Sequence, residues 1–300
     1  MTLSPTASRD RTLAGIGLML GGIFAFALND ALGKWLVATY SVGQLLLVRS
    51  AAALVILAPF LWRDGLAPFK AAPRPLLQTL RPLFATFEVA CFYWALTAMP
   101  LADVMTFYLA GPIYVTAISP FLLGEHVGWR RWLAVVAGFV GVMIALDPSG
   151  RALTPPAMIA IAGSFSFSLL MICTRLVRGT SDLVLITTQT AGALVFGLII
   201  APFTWVALNI SDSVLLILLG VTAMGAHVCI NRSLKLAPAS VVVPYQYTTI
   251  LWAILLGYFI FGDIPRTSML VGAAVIIAAG IYIFVREARA SKPVVVDPPA

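Results

Sequence analysis

Charged side chains are scarce in this sequence. Asp, Glu, Lys and Arg make up 10% of the 300 residues, whereas a soluble domain carries about 25%. This shortage excludes an ordinary soluble domain, because too few charges are present to cover a surface that faces water. Hydrophobic residues make up 61% and mean hydropathy is +1.00. Their runs have the ~20-residue length of a membrane-spanning helix and lack the alternation of barrel strands, so the sequence predicts an all-α integral membrane protein.

Catalytic and metal-binding patterns are also missing. The three cysteines, Cys91, Cys173 and Cys229, lie in apolar runs and form no CxxC pair, which argues against a disulfide framework or a zinc site. The Walker, GxSxG and HExxH patterns are absent, and the two histidines are far apart. We therefore predict no enzyme, no metal and no cofactor. The net charge of +7 is spread over short loops, so no nucleic-acid partner is predicted either.

Apolar runs bounded by charges, proline and glycine predict ten membrane spans. The spans are placed at 13–36, 43–62, 78–98, 102–123, 131–147, 155–177, 184–206, 213–234, 239–262 and 268–286. The first run continues through Asn29 and Asp30 without a convincing cleavage site, which favours a retained helix over a cleaved signal peptide.

The basic residues predict the orientation of the spans. Fourteen Lys and Arg residues fall on one side, against Lys34, Arg151 and Arg266 on the other. Because basic residues concentrate in cytoplasmic loops, both termini are predicted to be cytoplasmic, which requires an even number of spans. Residues 1–11 are then a cytoplasmic leader, and residues 287–300 a disordered cytoplasmic tail.

The two halves of the chain repeat each other. Residues 95–125 align without a gap on residues 233–263, so that Pro100 matches Pro238 and the pair Gly124-Glu125 matches Gly262-Asp263. This predicts two repeats, 12–148 and 154–286, with five spans each. An odd number of spans inverts the second repeat, an arrangement typical of transporters with a central binding site. The alternative is a duplication kept only for packing.

These features resemble the drug/metabolite transporter superfamily, and specifically its EamA-type members. The resemblance is carried by the duplicated five-span unit, by the two prolines and by the glycine–acid pairs just described. It implies a ten-helix transporter in a bacterial-type inner membrane. Members carry riboflavin, S-adenosylmethionine, amino acids or drugs, so the resemblance leaves the cargo open.

Ionisable residues inside apolar spans are costly and usually face a cavity or a partner. Asp30 and Arg49 lie at similar predicted depth, where they form either a substrate site or a packing pair, and Glu88 is a candidate proton or cation handle. Their repeat counterparts, Met171, Gln189 and Ala226, carry no charge. Asp103 is expected to be hydrated or to cap a helix, and His227 to make a helix contact.

Aromatic residues form the second group of candidates. Tyr93, Trp94, Phe107, Tyr108 and Tyr245, with Gln246, are expected to line a cavity that suits a planar ligand. Pro112 and Pro244 are expected to interrupt their helices, either as hinges or as static kinks.

The function predicted is secondary transport of a small organic metabolite by alternating access. A planar cargo such as riboflavin is favoured, followed by S-adenosylmethionine, whose positive groups would meet Asp30 and Glu88, and then by amino-acid or drug efflux. The alternative of another class is a membrane receptor or a membrane-embedded enzyme. The partners expected are the small substrate and the lipid bilayer, and a homodimer is left open.

Overall fold

A computed structural model describes residues 5–65, 67–124, 128–146, 154–177, 179–237 and 239–290. Over these ranges the chain consists of helices and short connections, with no strand. The predicted all-α fold is therefore confirmed. Glu125 and Pro238, which contributed to the repeat, lie outside the described residues.

The described residues of the first half form seven helices. They are α1 (Pro5–Val37), α2 (Val42–Asp64), α3 (Ala67–Lys70), α4 (Pro75–Leu96), α5 (Leu101–Tyr108), α6 (Gly111–Leu122) and α7 (Trp129–Ala145). The second half continues with α8 (Pro155–Leu176), α9 (Asp182–Ile200), the 3-10 turn η1 (Ala201–Phe203), α10 (Ile210–Leu236), α11 (Ala239–Val242), the 3-10 segment η2 (Val243–Thr248), α12 (Thr249–Phe261) and α13 (Thr267–Ala290).

Seven of the described segments are long and apolar enough to cross a membrane. They are Thr12–Val37, Val42–Asp64, Leu101–Leu122, Pro155–Leu176, Asp182–Phe203, Ile210–Ile230 and Thr267–Val285. The three other predicted spans correspond to α4, which carries Arg81 and Glu88, to the 17-residue α7, and to the shorter apolar segment Tyr245–Phe261.

The same local signals begin and end equivalent helices in both repeats. Ser41 accepts a hydrogen bond from the third residue of α2, and Ser181 does the same for α9, which satisfies an otherwise free N–H at each helix start. Gly124 follows α6 with φ 65°, and Gly262 follows α12 with φ 68°. Only glycine adopts this left-handed conformation without strain, which explains why each glycine–acid pair keeps its glycine.

Both predicted proline positions coincide with interruptions of an α-helix. Pro112 follows the first residue of α6, after Leu109 and Ala110 have separated α6 from α5. Pro244 lies in η2, between α11 and α12. A proline lacks the N–H of the helical ladder, so the breaks have a local cause. Their role as hinges remains a prediction.

Helices from the two repeats pack against each other in pairs. The main contacts join α1 to α10, α2 to α9, α4 to α8 and α7 to α13. Glycine allows one of these close crossings: a methyl group on Gly272 would lie 2.6 Å from the carbonyl oxygen of Gly141. Small residues at such crossings are typical of membrane helices, because backbones can approach closely there. The repeats therefore form one bundle.

Polar contacts lie at the two ends of the bundle. Lys34, Asp103, Asp263 and Arg266 meet at the end that we name the Pro100 end. Arg74 donates a hydrogen bond to the carbonyl of Leu176, and Gln78 donates one to Thr180, at the end that we name the Arg74 end.

The last helix extends further than predicted. Helix α13 continues to Ala290, four residues into the segment expected to be disordered. Alanine and arginine favour helix, so residues 287–290 extend α13. Residues 291–300 lie outside the described part of the chain.

Candidate functional site

Three ionisable side chains meet between α1, α2 and α4. Asp30, Arg49 and Glu88 each come from one of these helices, and each side chain is half-buried. Arg49 lies within electrostatic range of both carboxylates, and the two carboxylates interact with each other. The structure therefore brings together the three charged residues selected from the sequence, and we call them the central cluster.

Arg49 is held by Tyr93. Its Nη1 donates a hydrogen bond to the Tyr93 hydroxyl at 2.8 Å, and the guanidinium carbon lies 5.5 Å from the centre of the ring. A cation over an aromatic face is stabilised by the ring quadrupole. Within the described part of the chain no ion pair joins Arg49 to Asp30, so the direct pair considered from the sequence does not form.

Tyr93 in turn has a fixed position. Its side chain is buried, and Phe92 packs edge-on against it at 5.4 Å. The ring also fills the space beside Gly33 of α1, where any larger side chain would overlap it. Packing between α1 and α4 therefore sets where Arg49 can lie.

The hydrogen bonding of the two carboxylates differs from that of Arg49. Among the described residues, no group donates a hydrogen bond to the side chain of Asp30 or Glu88. A half-buried carboxylate needs water, a cation or a donor to offset its lost hydration. With Arg49 included, the ionised cluster carries two negative charges and one positive charge, and it therefore favours a ligand with positive charge.

Rings line one side of the central cluster. Tyr108 donates a hydrogen bond to the backbone carbonyl of Glu88 at 3.0 Å, and its ring meets Phe92 edge-on at 5.2 Å. A methyl group on Gly163 of α8 would overlap the Tyr108 hydroxyl, so the second repeat closes on this ring.

The other predicted aromatic residues lie elsewhere. Phe107 is fully buried in the apolar core, and Trp94 is 39% exposed on the bundle surface, where it meets Phe196. Tyr245 packs with a separate apolar group that includes Met19, and Gln246 is exposed. Of the six residues expected to form one wall, the structure therefore places Tyr93 and Tyr108 at the central cluster.

His227 makes the helix contact that was expected. Its Nδ1 lies 2.9 Å from the carbonyl oxygen of Ala223, and Phe26 packs edge-on against the imidazole. The described residues contain no group of acidic, histidine and cysteine side chains that could hold a metal ion.

The prediction that Asp103 is hydrated or caps a helix is wrong. Its side chain is buried, and Arg266 donates a hydrogen bond to it at 2.8 Å. Beside it, Lys34 pairs with Asp263 and lies over the ring of Phe261. The sequence did contain a signal for this ion pair. Lys34 and Arg266 are two of the few basic residues predicted on that side of the membrane, and nearby carboxylates such as Asp103 could have been predicted to pair with them.

Arg81 of α4 was not among the candidate site residues selected from the sequence. It is buried, and it reaches across to α8 and α9. A buried guanidinium in a span needs several partners. The position of Arg81 inside a predicted span was therefore enough to mark it as a candidate site residue.

A helical bundle of two paired repeats, with free charges buried between its helices, has the architecture of a membrane transporter. The EamA-like transporter family matches this chain over residues 13–146 and 154–286. The chain belongs to this family of multi-pass membrane transporters, which confirms the predicted resemblance and the prediction that the protein is not an enzyme.

Named relatives cover nearly the whole chain. It is 25% identical over 279 residues to an S-adenosylmethionine uptake transporter of Rickettsia felis, covering 93% of this chain and 95% of that protein. It is 26% identical over 288 residues to a riboflavin transporter of Vibrio cholerae, covering 93% and 96%. A crystal structure with 20% identity superimposes with a TM-score of 0.60 over 93% of this chain and 99% of that one, which supports the fold.

Proposed function

We propose that the protein transports a small metabolite that carries a positive charge and a planar ring, with S-adenosylmethionine as the leading candidate. The observation that carries the proposal is a pair of carboxylates, Asp30 and Glu88, to which no described residue donates a hydrogen bond. They lie near Arg49, which Tyr93 holds. The repeats 12–148 and 154–286 are proposed to be inverted, with ten spans in all, and to expose the central cluster to each side in turn.

The charge of the central cluster supports a cationic cargo over a neutral one. S-adenosylmethionine has a sulfonium, an ammonium group and a purine, so its positive groups would meet Asp30 and Glu88 while its ring packs near Tyr108. A neutral cargo would leave both carboxylates without a partner, which is costly in a dry site. This reverses the order expected from the sequence, in which the aromatic residues were counted together as one wall.

Riboflavin is the second candidate. The rings of Phe92, Tyr93 and Tyr108 meet beside the central cluster, and offset or edge-on contacts with a flavin would suit them. The relative from Vibrio cholerae carries that name.

Uptake into liposomes tests the proposal. Purified protein is reconstituted, and uptake of labelled S-adenosylmethionine and of labelled riboflavin is measured with and without a pH gradient. We expect saturable uptake of S-adenosylmethionine, and we expect excess riboflavin to inhibit this uptake only weakly. Saturable uptake of riboflavin alone would exclude the charged cargo and favour the second candidate.

Cysteine labelling tests the proposed orientation. After Cys91, Cys173 and Cys229 are replaced by Ala, single cysteines are introduced by Ala98→Cys, Ala207→Cys or Ala71→Cys. All three positions are exposed. In intact cells an impermeant maleimide should label positions 98 and 207 and spare position 71, which should react only after permeabilisation. Labelling of position 71 in intact cells would contradict cytoplasmic termini.

A comparison of Tyr108 with Trp94 tests the ring contact. We expect Tyr108→Ala to raise the apparent KM severalfold to about tenfold, since an aromatic pair contributes about 0.5–1.5 kcal/mol beyond its buried area. Tyr108→Phe should keep most of the affinity because it keeps the ring. Trp94→Ala is the control, since that ring lies on the bundle surface. Equal effects of the two Ala variants would contradict a ring contact at Tyr108.

A further inference from the structure

Arg81 lies near the Arg74 end of α4 and is only 7% exposed. Its Nε donates to Thr174 of α8 at 2.9 Å, and its Nη1 donates to the backbone carbonyl of Leu185 of α9 at 2.9 Å. Its Nη2 donates to the side-chain oxygen of Gln189 at 3.2 Å. All three acceptors are neutral, and all three belong to the second repeat.

This guanidinium has no acidic partner in the described ranges. A buried cation without a counter-charge is costly even when neutral oxygens surround it. A guanidinium has five N–H donors, and the three hydrogen bonds leave one free N–H on each terminal nitrogen. A carboxylate can accept hydrogen bonds from N–H groups that remain on a guanidinium.

Buried polar atoms without partners lie on the same two helices. Among the described residues, the hydroxyl oxygens of Thr86 and Thr187 and the side-chain oxygen of Gln78 have no hydrogen-bond partner. In the sequence, Thr187 lies between Leu185 and Gln189 of α9, and Gln78 and Thr86 lie on either side of Arg81 in α4. Buried hydroxyls rarely remain unsatisfied, so α4 and α9 each carry a polar group that is still able to form a hydrogen bond.

Arg81 and the central cluster share one face of α4. Arg81 and Glu88 are seven residues apart, which places them about two turns and about 10 Å from each other along the helix. A molecule with a positive and a negative end could therefore place its positive end near Glu88 and its negative end near Arg81, at two levels along α4.

We propose that Arg81 is an anion subsite that takes the carboxylate of a zwitterionic cargo. The inference rests on the proposed function and deepens it, because it makes the cargo an amino-acid derivative. The carboxylate occupies the free N–H pair and competes with Leu185 and Gln189 for the guanidinium. Its arrival thereby loosens the contact between α4 and α9 and couples binding to movement between the repeats.

Two cargoes that differ by one carboxylate test the subsite. Uptake of S-adenosylmethionine and of its decarboxylated form is measured in wild-type liposomes and in liposomes with Arg81→Gln. For S-adenosylmethionine the substitution should raise KM about tenfold to a hundredfold, the usual effect of losing hydrogen bonds to a charged group. Uptake of the decarboxylated form should not weaken, since it has no carboxylate to lose. Arg74→Gln is the control, because Arg74 also bonds to α8 but is exposed.

A binding measurement separates this inference from the proposed function. Methionine should raise the melting temperature of the detergent-purified wild type, and 3-methylthiopropylamine, which lacks the carboxylate, should raise it less. Arg81→Gln should remove that difference. Equal stabilisation of wild type and Arg81→Gln by methionine, or equal loss of transport for both cargoes, would show that Arg81 only ties helices together. Failure to carry either cargo would instead refute the proposed function, while the methionine result still decides the subsite.

Discussion

Asp30→Asn and Glu88→Gln should each strongly weaken the binding and transport of a cationic cargo and leave a folded protein. Both substitutions keep the shape of the side chain and remove its charge. Two opposite charges at contact distance in a partly hydrated site attract by about 2–4 kcal/mol, so we expect affinity to fall roughly 30-fold to 1,000-fold. Because no described residue donates a hydrogen bond to either carboxylate, the substitutions break no internal hydrogen bond, and the melting temperature should stay level or rise.

The experiment needs uptake and stability from the same preparations. Initial rates over a range of S-adenosylmethionine concentrations give KM and Vmax, and thermal unfolding in detergent gives stability. Asp64→Asn is the control, since among the described residues Asp64 pairs with its exposed neighbour Arg63. A fall in melting temperature for Asp30→Asn or Glu88→Gln with unchanged KM would assign these carboxylates to packing and would refute the proposed site.

Arg266→Gln should destabilise the protein more than Asp103→Asn, although the two residues form one ion pair. The Asp103 side chain is 6% exposed and that of Arg266 is 43% exposed. Loss of Arg266 leaves a buried carboxylate without its partner, whereas loss of the Asp103 charge leaves a cation that water can reach. Breaking a fully buried pair costs about 3–5 kcal/mol, and the exposed partner reduces this to roughly 1–3 kcal/mol for Arg266→Gln.

Thermal unfolding of the two variants and of Arg63→Gln checks this order. Arg63 forms an exposed pair with Asp64, and its loss should change the melting temperature little. Because the pair joins α5 to the segment before α13, Arg266→Gln should also open the Pro100 end. Faster labelling of Ala102→Cys, at a buried neighbour of Asp103, would report this opening. Equal melting temperatures for all three variants would show that the Asp103–Arg266 pair contributes no more than a surface pair.

Some of the site was accessible from the sequence because its signal is local. Asp30, Arg49 and Glu88 were selected since an ionisable side chain in an apolar run is costly wherever the run folds, and the structure places them together. The glycines of the repeated glycine–acid pairs were recognised in the same way, and their positive φ values give the physical reason. Each of these inferences needs only a few neighbouring residues.

The aromatic residues show where such reasoning stops. Tyr93 and Trp94 are adjacent in the sequence, yet one holds Arg49 in the interior and the other lies on the surface. Successive residues of a helix point about 100° apart, so a cluster of rings along the chain does not imply a cluster in space. Which ring faces the central cluster depends on how α4 is rotated against its neighbours.

The sequence by itself determined that this protein is an all-helical membrane transporter with a duplicated unit, because hydropathy, span length and repeated motifs are properties that follow the chain. Only the tertiary structure decided the partners of the buried charges. Arg49 donates a hydrogen bond to Tyr93, Asp103 pairs with a residue 163 positions away, and Arg81 donates hydrogen bonds to the second repeat. At any given depth in a membrane bundle, several side chains could partner a buried charge. The rotation and packing of helices that are distant in sequence determine which of these side chains comes into contact with it.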